Sequence, residues 1–343
     1  MIDLSSDTAT RPTAAMRNAM AQAQVGDEQR GEDPTINRLN QLVADMLGKE
    51  AALFLPSGTM CNVIAVKVHT QPGDALLADR QSHILRSETG GAALVSGVIV
   101  DQLPGHRGQF TAEDVLAALP TPSVYAPVPR LVCVEQTHNF GGGTIWPLEQ
   151  LQAVCAVAHT HGLAVHMDGA RLFNAVVTTG ISARTYAEGC DSVWVDFSKG
   201  LGAPMGAVLA GSTAFIESAR RYKHLLGGAL RQAGVVAAGC IYALEHHIWR
   251  LQEDHEHARL LANHLITLDG IDVQQPVETN MVFFDTSGAG IAPSDFLHEI
   301  ERRGVRMSQI GSRIRAVPHL DITPQDMEQA IAVVEDVITT WKR

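Results

Sequence analysis

The chain has 343 residues, with 26 Lys and Arg against 37 Asp and Glu, a formal charge of −11 and 45% hydrophobic content. That apolar share excludes intrinsic disorder, and the acidic balance argues against a nucleic-acid partner held by a basic face. The length suggests two units, or one large α/β unit with an appendage.

No basic leader precedes an apolar stretch at the start, and no window reaches the roughly 18 apolar residues of a membrane span. The five cysteines (Cys61, Cys133, Cys155, Cys190, Cys240) show no Cys-x-x-Cys spacing. Reduced, buried thiols in a cytoplasmic protein are expected, without a membrane partner.

From about residue 34 to 210, short apolar runs alternate with helical stretches. Strands are predicted at Ala51–Leu55, Ala75–Ala78, Leu94–Val100, Arg130–Glu135, Leu163–Asp168 and Ser192–Phe197. Two-sided apolar strands separated by helices imply a mostly parallel sheet covered on both faces. A helical stretch over about 213–267, broken near Gly227-Gly228, is followed by a smaller α+β unit with strands at Met281–Phe284 and Arg313–Val317. The closing helix begins Thr323-Pro324-Gln325-Asp326, a capping hydroxyl, an N1 proline and an acidic N3 residue. Met327, Ile331, Val334 and Ile338 mark its buried face. The expected division is 13–240 as the large unit, with 1–12 and 241–343 forming the smaller one.

Chemistry gathers at the predicted strand ends. Asp196-Phe197-Ser198-Lys199-Gly200-Leu201-Gly202 places a lysine in a glycine-rich turn after an apolar strand. Partly apolar surroundings can make such an amine nucleophilic; the alternative is a surface lysine in an ordinary turn. His166-Met167-Asp168-Gly169-Ala170-Arg171 ends another strand, and parallel strands open their carboxyl ends onto one edge, where ligands bind. Asp168 there needs a cationic partner: the pyridine nitrogen of pyridoxal phosphate would serve, and an internal bridge to Arg171 is the alternative. Ser57-Gly58-Thr59 opens a helix after the first strand and suits a phosphate, or simply caps the helix. His83 follows the next strand, where an imidazole could stack on a planar cofactor and exchange protons.

This order of anion loop, His, Asp-x-x-Arg and Ser-Lys is the layout of pyridoxal-phosphate enzymes of fold type I. The chain resembles the L-threonine aldolase family within the β-eliminating-lyase group. Asp3-Leu4-Ser5-Ser6-Asp7-Thr8-Ala9-Thr10-Arg11-Pro12, Gly31-Glu32-Asp33-Pro34, Ser198-Lys199-Gly200-Leu201-Gly202-Ala203-Pro204 and Arg231-Gln232-Ala233-Gly234 carry the likeness, which runs from Ile2 to about residue 320. It implies a large α/β domain with a smaller C-terminal α+β domain, and a lyase cleaving threonine, allo-threonine and related β-hydroxy-α-amino acids to glycine and an aldehyde. It also implies that Lys199 holds pyridoxal phosphate covalently, Asp168 faces the ring nitrogen, Arg171 sits by the phenolic oxygen, and His83 stacks on the ring and serves as base. Ser57, Gly58, Thr59 and Ser198 would bind phosphate, and Arg231 would reach the phosphate of a neighbouring subunit, so the active site would need a dimer, with a dimer of dimers as the expected homo-oligomer. Ser6 and Arg315 would hold the substrate carboxylate, with Arg313 on the same strand face as the alternative.

Two positions depart from the family pattern. Arg30 stands where many members have tyrosine, and Tyr125 where a loop histidine is common. Both are expected to border the substrate side chain, and Arg30 would suit a second carboxylate, as in a hydroxyaspartate-like substrate, or pair with Glu28 or Glu32. Another pyridoxal-phosphate reaction on β-hydroxy amino acids, such as β-elimination, is the alternative activity. Gly141-Gly142-Gly143 is expected to form a mobile loop at the mouth. The histidines between Glu245 and His257 read as a solvated helix face rather than a metal site.

Overall fold

A computed structural model describes residues 1–121 and 123–341. Residues 342 and 343, the end of the expected smaller unit, lie outside the described residues.

Strand β1 (Ile2–Asp3) belongs to the C-terminal part of the molecule. A seven-stranded sheet then forms from β2 (Ala51–Leu55), β3 (Ala75–Asp79), β4 (Ile99–Leu103), β5 (Pro129–Glu135), β6 (Ala164–Gly169), β7 (Ser192–Asp196) and β8 (Ala207–Gly211), in the order β2-β8-β7-β6-β5-β3-β4. Only β8 runs against its neighbours. β3, β7 and β8 are buried along their whole length, which is why these strands read as unbroken apolar runs. The carboxyl ends of β2, β3, β5, β6 and β7 therefore share one edge.

Helix α1 (Ala14–Ala21) and helix α2 (Pro34–Leu47) pack with the helix Gly234–His246 against the large core. Asp33 caps α2 by accepting from the Thr35 and Ile36 amides, Pro34 fills its first turn, and Gly48 ends it at φ +65. Helix α3 (Gly58–His69) buries Cys61 through Val66 without a break, so it is enclosed rather than amphipathic. Helix α4 (His83–Arg86) is a single turn after β3.

The second core gathers Ile2 and Leu4 with residues between Ala258 and Ile338. β9 (Asp272–Val273), β10 (Val282–Asp285), β12 (Ser308–Ile310) and β13 (Arg313–Ala316) form an antiparallel sheet, while β11 (Val305–Arg306) pairs with β1. The closing helix Pro324–Thr340 starts with both hydrogen bonds of a capping box between Thr323 and Asp326.

Three expectations need correction. Leu94–Val100 is not a strand: Ala92–Ser96 forms a wide helical turn ended by Gly97 at φ +71, Leu94 is exposed, and the strand begins only at Ile99. A left-handed glycine there reverses the chain before it can pair. Gly141–Gly143 is no mobile loop: all three residues are buried, and the Gly141 carbonyl accepts from Arg107, Thr144 and Gln274. The histidine-rich stretch is not uniformly solvated either. His247 is buried on the Leu201 carbonyl (2.7 Å) and His255 on Asn174 (3.1 Å).

Candidate active site

At the shared strand edge the side chains are held by a buried polar network. Asp168, 5% exposed at the end of β6, accepts from Asn62 Nδ2 (2.8 Å) and from the Ala170 amide (3.0 Å). Asn62, on the enclosed helix α3, also donates to Glu88 (2.6 Å) and accepts from Trp194 Nε1 (2.7 Å) and His166 Nε2 (3.0 Å). Its amide thus makes four hydrogen bonds and fixes the carboxylate from behind. Burial holds His166 down at about 3, so it stays neutral and adds no countercharge. Burial, with the Glu135 charge nearby, lifts the Asp168 carboxyl to about 6. Asp168 makes no ion pair with Arg171, so that alternative fails.

Arg171 instead clasps Asp7 through Nε (2.7 Å) and Nη2 (2.6 Å), with both side chains buried. Burial alone would raise Asp7, but the Arg171 guanidinium holds its carboxyl well below the usual range. The N-terminal segment is thereby tied to the strand edge, and the Thr10 hydroxyl adds a bond to the Lys199 carbonyl (2.8 Å). Lys199, just beyond β7, rests its ammonium on Asp196 (2.6 Å) and over the Trp194 ring (5.5 Å). Asp196 also accepts from the Ser198 amide (3.1 Å) and hydroxyl (3.0 Å).

His83 Nδ1 lies 2.9 Å from Glu88, and the His83 amide donates to Glu135 (2.7 Å). Burial opposes charge on this ring, but the Glu88 bond with the Asp168 and Glu135 charges leaves its pKa raised above the ordinary 6.5. His83, Glu88 and Asp168 bring one potential ligand atom each within 4.8 Å of one another. Each is already engaged in the hydrogen-bond network.

Ser57 caps α3, accepting from the Met60 amide (3.3 Å), and both Ser57 and Thr59 are exposed there. A side chain at Gly58 would overlap the Trp194 indole. Arg315 on β13 donates to Asn139 (2.9 Å), the Ser5 carbonyl (3.0 Å) and Ser308 (3.3 Å), all of them uncharged acceptors. Burial and the Arg171 charge bring its pKa down to about 10. Ser6 caps the turn Asp7–Ala9 through Thr8. Arg313 points elsewhere than to Asn139, to Gln274 (2.8 Å), so the two strand neighbours have separate partners.

The remaining candidates lie outside this cluster. Arg231 and Arg30 are both largely exposed and both pair with Asp27, at 2.8 and 3.9 Å. Arg30 thus meets neither Glu28 nor Glu32, and within one chain it does not border the cluster. Tyr125, 94% exposed, precedes the amino end of β5, the opposite edge of the sheet within the chain. Sequence reasoning missed Asn62, Glu88, Asp196 and the partner role of Asp7. One signal was available: a lone asparagine inside a wholly apolar helical run must find buried partners.

The sheet order, the shared strand edge and the lysine-carboxylate pair define a class of α/β enzymes, and the comparisons agree. The family model described as Beta-eliminating lyase matches residues 3–288. The chain is 41% identical to low-specificity L-threonine aldolase 1 of Arabidopsis thaliana, covering 99% of this chain and 97% of the relative. It is 36% identical to the low specificity L-threonine aldolase of Escherichia coli strain K12, over 97% and 98% of the two chains. The structure of Leishmania major threonine aldolase superposes with a TM-score of 0.85 at 20% identity, covering 98% of this chain and all of that one. The chain belongs to the L-threonine aldolase family of β-eliminating lyases. Among the described residues, no helix is long and apolar enough to cross a membrane.

Proposed function

We propose that the protein is a pyridoxal-phosphate-dependent aldehyde-lyase cleaving L-threonine, L-allo-threonine and related β-hydroxy-α-amino acids to glycine and an aldehyde, with loose selection at the β-carbon. The observation that carries this reading is Asp168, a buried carboxylate whose oxygens accept, among the described residues, only from neutral donors. A protonated ring nitrogen supplies the missing cation, and Lys199 lies close enough for its charge to bear on Asp168. The relatives named for threonine aldolase activity support the same conclusion.

When bound, the cofactor supplies an aldehyde carbon that an amine can hold and a ring that accepts the electron pair released at Cα. Lys199 would hold that carbon, and release from Asp196 frees its amine to do so. Ser57, Gly58, Thr59 and Ser198 would hold the phosphate at the start of α3, where unpaired amides favour an anion. Arg171, kept rigid by Asp7, would sit beside the phenolic oxygen. Arg315, buried with no carboxylate partner among the described residues, would take the substrate carboxylate together with Ser6. Orientation by that clamp selects the Cα–Cβ bond for cleavage. Because His83 Nδ1 donates to Glu88, Nε2 is left free to receive the β-hydroxyl proton.

We take 13–240 as the cofactor-binding unit and 1–12 with 241–343 as the smaller one. The second apolar core of Ile2, Leu4 and residues from Ala258 on supports the smaller unit, while the first core runs past 240 through Ile241, Ala243, Ile248 and Leu251. Arg231, exposed on the chain that carries it, is assigned to the partner's phosphate in a homotetramer built as a dimer of dimers. A cytoplasmic location is proposed from the five free, buried cysteines. The test is a retro-aldol assay over a panel of β-hydroxy-α-amino acids with glycine quantified. Threonine should give equal amounts of glycine and acetaldehyde, and Lys199→Ala should give neither. A keto acid in place of glycine would overturn the reading in favour of β-elimination.

A further inference from the structure

A cavity of about 730 Å³ opens between the large sheet's carboxyl edge and the smaller unit, far larger than the methyl group at the β-carbon of threonine requires. Its lining includes Arg86, Arg107, Arg313 and His106, and neither an Asp nor a Glu, in a chain of formal charge −11. Phe140 and Phe283 supply apolar surface beside these cations.

The cavity adjoins the catalytic cluster. Arg86 shares the single turn α4 with His83, and Gly141 in its lining follows Asn139, which holds Arg315. Arg313 and Arg315 leave the same face of β13, about 6.5 Å apart along the strand. The three guanidiniums differ in how far their charge is spent. Arg107 is pinned in the left-handed region (φ +51) by the carbonyls of Gly141, Gln275 and Pro276, with Glu278 at 3.3 Å. A non-glycine residue held there by three bonds is a fixed wall. Arg313 has Asp272 only at 3.6 Å, and Arg86 bonds the Arg80 carbonyl with no carboxylate partner among the described residues.

We propose that this cavity receives the side chain of β-hydroxy-α-amino acids that end in a carboxylate, so that such acids are cleaved in preference to their uncharged counterparts. The proposal rests on the aldolase reading and names its substrate class. It places the second carboxylate at Arg313 and Arg86, not at Arg30. The reaction balances without a co-reactant: the Cα–Cβ bond breaks, the β-hydroxyl loses its proton to become the aldehyde oxygen, and Cα gains a proton to give glycine.

The test uses holoenzyme with β-hydroxy-α-aminoadipic acid and its terminal amide. The ratio of their kcat/KM values should favour the acid by about tenfold, and should fall towards one at high salt and in Arg313→Met. A ratio near one in the unaltered enzyme, or one that Arg313→Met leaves in place, overturns the proposal. Calorimetric titration with glutarate and with its monoamide reads the same site without turnover. Glutarate should bind about tenfold more tightly than the monoamide, and Arg313→Met should abolish the difference. Equal binding of the two ligands overturns the proposal. Failure to cleave any β-hydroxy-α-amino acid of the panel would sink the aldolase reading, and the glutarate titration would still decide separately whether the cavity selects an anion.

Discussion

A histidine that accepts a proton must be neutral at the accepting atom, and Glu88 decides which atom of His83 that is. Its carboxylate accepts the hydrogen bond from Nδ1 at 2.9 Å, so Nε2 is the nitrogen left for the proposed role of base, and it contributes to a ring pKa above 6.5. Activity should therefore rise as the pH climbs through that raised value. In Glu88→Gln the charged ring loses an anionic partner, its pKa falls, and the acid limb of the kcat/KM profile should move to lower pH. An unmoved limb would show that Glu88 does not tune the base. The same raised pKa contributes folding stability that is complete below about pH 6.5 and is lost as the pH rises through the folded value. Urea midpoints of the variant should accordingly show a flatter pH dependence over that window. Nothing in the sequence joined Glu88 to His83, since the single turn between them had to form first.

Elements matter here through their ends. β2, β3, β5, β6 and β7 each deliver a functional segment at the carboxyl edge, and the periodicity of apolar runs located these strands within a residue or two. Helix α3 was placed correctly, but its enclosed character hid Asn62, because a continuous apolar run says nothing about which polar residue inside it faces the ligand edge. Gly58 makes room for Trp194 at the start of this helix and, in the proposed function, stands among the amides that would hold the phosphate. Gly58→Ala forces the indole, fixed by its bond to Asn62, to move. A loss of about 1–3 kcal/mol in unfolding free energy is expected, with weaker uptake of pyridoxal phosphate measured by absorbance titration. Unchanged stability and uptake would mean that the ring shifts freely. Leu94–Val100 was misread because apolarity outweighed Gly97, whose left-handed backbone ends the helical turn before the strand can start.

For the whole molecule, the two exposed arginines on Asp27 bear on assembly. If Arg231 completes a partner's site, Arg231→Ala and Lys199→Ala protomers fail for complementary reasons. Mixed after dissociation, they should form hybrid dimers with one intact site each, restoring activity at about a quarter of all sites. No recovery, with hybrids verified by mass, would place Arg231 outside the shared site. Motif order and apolar patterning by themselves determined the α/β class, the strand-end lysine and aspartate, the capped helices and the family, because these depend on residues near one another in sequence. Only the tertiary structure decided that Arg171 pairs with Asp7, that Asn62 and Glu88 position Asp168 and His83, that Arg30 and Tyr125 stand apart from their own chain's cluster, and that three arginines meet at one cavity. Those pairings join residues up to hundreds of positions apart. Their partners are chosen by burial, which leaves a charge no water and makes the nearest complementary group decisive.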